Sequence, residues 1–254
     1  MEKSWHFSIV GSAVVVSLAV VASIVTSTLV ASRAYLRRGE QQYLQAQSLE
    51  VTGSARKRIV SDLALWTVAV AGEGKTLEEA FERLSASSDK VRAFLAQQGI
   101  PEGSVSPGPI HTTPHYRRDD KGRETREVLA YQLSRRFLVR LADVGRVAKA
   151  AGEVTGLIKT GAHVESLGPE YIYTGLAGLK VAMIGEATAD ARERAEHIAA
   201  GSKCRIGAVK EARAGVLQIT PPWSNEVSSG GINDTSSIEK DITAVVHLKI
   251  TIEP

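Results

Sequence analysis

The chain has 254 residues, with 31 Lys and Arg against 28 Asp and Glu, a formal charge of +3 and 43% hydrophobic residues. The basic residues are interspersed with acidic ones and form no aromatic-interleaved stripe, which argues against a nucleic-acid partner. Cys204 is the single cysteine, so an intramolecular disulfide is excluded, and in a helix-rich stretch it reads as a small packing residue rather than a nucleophile.

Residues 5–32 contain no Asp, Glu, Lys or Arg, and His6 is the one titratable side chain among them. A helix needs about 20 apolar residues to cross the roughly 30 Å hydrocarbon core, and this run is long enough. Residues 1–32 are therefore expected to form a membrane anchor, with residues 7–31 in the bilayer. A polar juxtamembrane stalk at 33–47 and one domain at 48–254 would follow. A secretory signal cleaved near Val30-Ala31-Ser32 is the alternative, although such signals have a shorter apolar core of about 7–15 residues. Ala19, Ser23, Ser27 and Ala31 recur every fourth residue, a ladder of small side chains that lets membrane helices approach. Lys3 flanks one side of the run and Arg33, Arg37 and Arg38 the other, so the positive-inside rule by itself would hold the domain in the cytoplasm.

Beyond the stalk, residues 49–58 read as a strand and 59–71 as its hairpin partner, with Ser61-Asp62 as the turn. Trp66, Val68 and Val70 share one face and Leu63, Leu65, Thr67 and Ala69 the other. Both faces are largely apolar, which predicts a central strand. Residues 76–98 form the clearest helix: Thr76 and Glu79 make a capping box, and Leu77, Ala80, Phe81, Leu84, Val91 and Leu95 form a stripe at helical spacing. Gly99 stops it, and Pro101 prevents a restart. Residues 104–116, rich in Pro and Gly, suit an edge strand, and 117–126 a charged hairpin tip. Along 128–141, Leu129, Tyr131, Leu133, Phe137, Val139 and Leu141 alternate with Gln132, Ser134, Arg136 and Arg140, the pattern of an antiparallel strand with one wet face. Asp143 caps a second helix reaching Lys159, and 161–173 reads as a further strand. A third helix at 179–200 is expected to bury Val181, Ile184, Thr188, Ala191, Ala195 and Ile198. Residues 206–219 form a strand region, 221–237 a long polar loop, and 242–252 a strictly alternating last strand. Strands that pair locally and helices collected on one face give an α+β fold, an antiparallel sheet with about three helices.

The order of these elements resembles the SIMPL-domain family, the bacterial periplasmic immunogenic and oxidative-stress-defence proteins. Leu49-Glu50-Val51-Thr52-Gly53-Ser54-Ala55 is similar to the family's opening V-x-G-x-G/A strand, with Ser54-Ala55 in place of a second Gly. Leu77-Glu78-Glu79-Ala80 and Leu95-Ala96-Gln97-Gln98-Gly99-Ile100 resemble its first helix and L-x-x-x-G-I exit. Ser104-Val105-Ser106 to Pro114-His115-Tyr116 resembles its D-I-x-T … P-x-Y stretch, with Ser104 for Asp. The Ala-rich helix over 187–200 and Gly201 to Gly207-Ala208-Val209-Lys210-Glu211 resemble its closing pattern. The likeness extends over 49–252. It implies a domain facing the periplasm or exterior on the inner membrane, self-association into a homo-oligomer, and a link to stress defence or the envelope. It brings no catalytic residues.

Motifs of known chemistry are incomplete. Gly72-Glu73-Gly74-Lys75-Thr76 stands where a phosphate loop would, but the first glycine of G-x-x-x-x-G-K-[ST] is replaced by Ala69, and the segment reads as a tight turn with Thr76 as helix cap. His111 and His115 share a strand face roughly 13 Å apart, too far for one metal without a turn. His163 and His247 belong to separate strands. Trp223, with Asn225, Val227 and Ile232, lies in the polar 221–237 loop, where an aromatic can anchor a partner. The sequence therefore points to a non-enzymatic, anchored domain working by assembly, with no cofactor. The alternatives are a metal- or nucleotide-binding enzyme using His111/His115 or the Gly72 to Thr76 turn, and a pore or transport accessory built around the anchor.

Overall fold

The computed structural model describes residues 23, 25–34 and 47–253. Residues 25–34 are helical and exposed, and among the described residues no helix is long and apolar enough to cross a membrane. Most of the expected anchor at 7–31 and stalk at 33–47 lies outside the described residues. From residue 48 the chain runs through β1 (Ser48–Val60), β2 (Leu63–Gly74), α1 (Leu77–Gln97), β3 (Val105–Arg118), β4 (Glu124–Leu141), α2 (Val144–Glu153), β5 (His163–Ser166), β6 (Glu170–Ile172), α3 (Leu176–Gly201), β7 (Arg205–Ala214), β8 (Gln218–Thr220) and β9 (Glu239–Glu253). The architecture is α+β, as the sequence pattern implies. The chain forms two compact units, and β1, α3, β7 and β9 contribute to both.

The larger unit (54–187 and 214–245) is built on a five-stranded antiparallel sheet ordered β3-β4-β2-β5, with β6 also on β2. β2 is central, as its two apolar faces predict. Its even-numbered side chains, Ala64, Trp66, Val68 and Val70, are buried together with residues of α1 and α2, while its odd-numbered ones from Leu63 to Ala71 are half-buried on the opposite face. Trp66 hides its ring entirely and satisfies its indole N–H on Ser166 Oγ at 3.1 Å.

The expected β1–β2 hairpin does not form: the two strands belong to different sheets. The cause is edge saturation. β2 pairs with β4 along one edge and with β5 and β6 along the other, so no edge remains for β1. The backbone N–H groups of Ser61 and Asp62 instead donate to Ile238 O and Ile172 O at 2.8 and 3.0 Å.

α1 starts as predicted. Thr76 Oγ1 accepts from Glu79 N at 3.2 Å, but the Glu79 carboxylate accepts from Lys75 N rather than from the cap residue's own amide. Its buried face is Ala80, Leu84, Ser87, Ser88, Val91 and Leu95, whereas Leu77 and Phe81 are half-exposed. Phe81 lies about 100° around the helix from Ala80, beyond the strip the sheet covers. That strip is narrow because helix and strand touch backbone to backbone: a Cβ on Gly72 would stand against Ala80 O and Leu84 N, and one on Gly74 against Ala80 N. Small residues therefore dominate the contact, and the two buried serines return their hydroxyls to Ala71 O and Leu84 O.

Two other expected stripes are also revised. On β4, Leu133, Phe137 and Val139 are buried, but Leu129 is exposed because pairing with β2 ends at Tyr131. On α3, the buried positions are Met183, Ala187, Ala191, Ala195 and Ala199, spaced every four residues, and Val181 is 73% exposed with Ile198 also exposed. The buried stripe is narrow and mostly alanine, and Val181 and Ile198 fall outside it.

β9 carries the other sheet, pairing with β1, β7 and β8. Ile242, Ala244, Val246, Leu248 and Ile250 are buried as the alternation predicts, and Ile252 is half-buried. The smaller unit comprises the described parts of 1–53, 188–213 and 246–253. Its buried residues include Val51, Ala191, Ala195, Ala199, Leu248 and Ile250.

Gly72→Ala should lower unfolding free energy by at least about 3 kcal/mol in urea titrations, the upper end of overpacking costs, because the new methyl meets rigid helix backbone rather than a side chain that can move. A loss below about 1 kcal/mol would show that the contact is not tight.

Candidate interaction surface

The most developed polar constellation lies on the outward side of β1 and β9, within the larger unit. The inward residues of β9 are even-numbered, so Asp241 points away from the core, yet its side chain is only 4% exposed. Arg56 and Arg58, two apart on β1, point outward with it and cover it. Arg56 Nη2 donates to Asp241 Oδ2 at 2.6 Å, and Arg58 grips both oxygens, Nε to Oδ1 at 2.9 Å and Nη2 to Oδ2 at 3.1 Å. The backbone N–H of Trp223 completes the set, donating to Oδ2 at 3.2 Å. Charge-assisted bonds of this kind hold the ionised form. The Arg58 bonds lead, and with Arg56 and the Trp223 amide they outweigh burial and hold the Asp241 carboxyl well below the usual carboxylate range. The same pairing raises the Arg58 guanidinium.

Trp223 is thereby fixed in an unusual state. Its φ is +67°, a left-handed conformation disfavoured for a bulky residue, and its side chain is 79% exposed. The Arg58 guanidinium lies 4.3 Å from the ring centroid, so one π-face is occupied by a cation that Asp241 orients. Trp223 is thus an exposed aromatic held against local backbone preference and braced from beneath by Arg58.

The rest of the 221–237 loop is tied down. Ile219 N donates to Ile232 O and Asp234 N to Ile219 O, and the Gln218 amide reaches Ser228 O at 2.8 Å. The buried Lys240 ammonium donates to Tyr171 O at 2.6 Å and to Asp234 O, and burial pushes it down from the usual lysine range. Asn225 and Val227 are exposed like Trp223, whereas Ile232 is half-buried. Arg56, Arg58 and Asp241 did not stand out in the sequence reading. Their signal was two arginines at strand alternation and an acid on the outward phase of the last strand.

The other sequence candidates are dispersed. Gly72 and Gly74 accommodate α1, and the Lys75 amide that a phosphate would need is bonded to Glu79. Arg83 Nη1 caps Glu73 O at 2.6 Å, beside an open pocket of about 820 Å3. His111 and His115 lie on β3, where His115 Nε2 faces Gln132 Oε1 at 3.3 Å. Among the described residues no group of three His, Cys, Asp or Glu side chains is arranged to hold a metal. His247 pairs with Thr52 Oγ1 at 2.9 Å, and Cys204 is half-buried.

Residues 49–250 match the model of the SIMPL family, described as "Protein of unknown function (DUF541)". The chain belongs to the SIMPL family. No curated protein matches it. Among solved structures, it is similar to the de novo designed protein Foldit4, with 11% identity over 41% of this chain and 93% of that one and a TM-score of 0.23. A putative aminohydrolase from methicillin-resistant Staphylococcus aureus gives 12% identity over 48% and 33%, TM-score 0.24. An uncharacterized conserved protein from Listeria innocua gives 11% over 78% and 92%, TM-score 0.21. Likenesses at these scores decide nothing about activity.

The Asp241 cluster sets a pH dependence for this SIMPL chain. In the unfolded chain Asp241 returns to the ordinary value of 3.8, while in the folded state its pKa is lower, so the unfolded state takes up the proton first as pH falls. The stabilisation is complete above the ordinary carboxylate range and is lost below it. Asp241→Asn should lower the thermal midpoint at neutral pH and flatten its fall between about pH 5 and pH 2. An unchanged acid limb would assign that fall to other carboxylates.

Proposed function

We propose that this protein is a membrane-anchored SIMPL-type envelope protein that acts by self-assembly and protein interaction rather than by catalysis. The observation that carries the reading is Trp223: an exposed aromatic in a left-handed backbone conformation, stacked on Arg58 and anchored through its amide to a buried carboxylate. Positive φ in a non-glycine residue of this size costs of the order of 1–3 kcal/mol and persists where surrounding bonds over-determine it. Asp241 spends its acceptor capacity on Arg56, Arg58 and Trp223, which suits a positioning role better than proton transfer. The anchor rests on the apolar run at 7–31, and the periplasmic orientation, homo-oligomeric state and tie to oxidative-stress defence rest on the family resemblance.

Removing the loop from Ser224 to Ser236 is too blunt a test, because the segment also supplies Ile232 O, Ser228 O and Asp234 O to the sheet and to Lys240. Trp223→Gly is sharper. It deletes the ring while suiting φ +67°, so the melting midpoint should stay level or rise and the assembled mass in sedimentation of the detergent-solubilised full chain should fall. An unchanged mass would remove Trp223 from the reading. Lys75→Ala and His115→Ala should leave assembly intact, and a loss of bound ligand in either would favour the enzyme or metal-site alternative.

A further inference from the structure

The two outward-facing sheet surfaces of this chain treat charge differently. On β1, β7 and β9, outward charged groups form pairs: Arg56 and Arg58 with Asp241, Lys249 with Glu50, Arg213 with Glu211. On the five-stranded sheet, the face opposite α1 and α2 carries an open trough of about 820 Å3 whose charged groups are not. Among the described residues no hydrogen bond or ion pair engages the side chains of Arg136 or Glu165.

Register fixes how these groups stand. Arg136 pairs with Ala69, and Ala69 with Glu165, so the two charges face each other in one cross-strand row with an alanine between them. The neighbouring row is His111–Ser134–Ala71–His163. The floor is therefore Ala69, Ala71 and Ser134, all small, and the histidines bound the second row. The β3 bulge between Pro107 and Ile110 puts Gly108 and Pro109 alongside Arg136, and neither offers it an acceptor side chain. Arg136 and Glu165 are two strand spacings apart, about 9.5 Å, too far for a direct bond between side chains standing upright from the sheet.

We propose that this trough binds a small zwitterion, with Arg136 taking its carboxylate and Glu165 its ammonium. A simple anion would meet Glu165 and a simple cation Arg136, whereas a ligand carrying both charges gains at both ends. For upright side chains, subtracting two charge-assisted bonds of about 2.8 Å from the 9.5 Å strand span leaves roughly 4 Å between ligand nitrogen and carboxylate oxygen, the scale of a short amino acid, and the flexible stems of the exposed Arg136 and Glu165 can splay to admit a dipeptide, whose two Cα atoms alone lie about 3.8 Å apart. The alanine floor supplies apolar contact for the ligand's carbon atoms, and Ser134, His111 and His163 offer hydrogen bonds around it. The site is separate from the Trp223 surface, and the two readings stand or fall independently.

The test is ligand-observed saturation-transfer NMR on the detergent-solubilised full chain, with dialanine as probe. Dialanine should bind saturably, and N-acetyl-dialanine and dialanine amide, each lacking one charge, should bind roughly tenfold more weakly or worse. Arg136→Glu and Glu165→Arg should each abolish dialanine binding, and the double exchange, which restores one charge of each sign across Ala69, should recover it. Arg136→Gln and Glu165→Gln, with unchanged melting midpoints, should each weaken binding about tenfold. Absence of saturable binding to the native chain, equal binding of the blocked dipeptides, or a folded double exchange no better than the single variants would overturn the proposal.

Discussion

The hydrogen-bonding edges of β2 are both occupied, and much of the larger unit follows from that. With β4 on one side and β5 and β6 on the other, β2 cannot accept the strand that precedes it in sequence. β1 must leave and finds β9 instead. That partnership brings Arg56 and Arg58 beside Asp241, residues separated by more than 180 positions in the chain. The close approach of α1 through Gly72 and Gly74 then seals the buried face, with Leu63, Leu65, Thr67, Ala69 and Ala71 of β2 half-buried on the opposite one.

Local rules were sufficient where one element decides the outcome. Thr76 capping α1, Gly99 ending it at φ +72°, Asp143 capping α2 and the inward phase of β9 were all legible from residue order. They failed where two elements share the decision. Hydrophobic periodicity placed Leu77, Phe81 and Val181 in buried stripes, but burial there depends on where the sheet ends and how closely the helix approaches. Those quantities are set by glycines and alanines that hydropathy undervalues. The β1–β2 hairpin failed for a topological reason: a two-residue link is compatible with either pairing or changing sheets, and only the long-range partners discriminate.

The candidate site shows the same division. Trp223 was conspicuous in sequence as an aromatic in a polar loop, but its meaning came from groups that sequence separation hides. Arg58 stacks on the ring, Asp241 orients Arg58 and binds the Trp223 amide, and β1–β9 pairing holds both strands in place. In isolation, each residue has a bland interpretation: an exposed arginine, a strand acid, a loop tryptophan. Together they form one braced unit, because the carboxylate bridges two cations that would otherwise repel at alternate positions of one strand face.

Strain and charge pairing here point in the same direction. A glycine at position 223 would relieve the backbone, yet the chain keeps a tryptophan there and brings a buried carboxylate to its amide. Stability alone does not account for that choice, since an exposed ring returns little burial energy and the stacked guanidinium is more than a third exposed. The free face of the ring is open to solvent. A contact that buried it would desolvate the Arg58–Trp223 stack and strengthen it, so occupancy and bracing would reinforce each other. That coupling makes Trp223 more than an apolar patch: the position of its ring is built into the ion pair beneath it, and the ion pair into the strand exchange that β2 enforces.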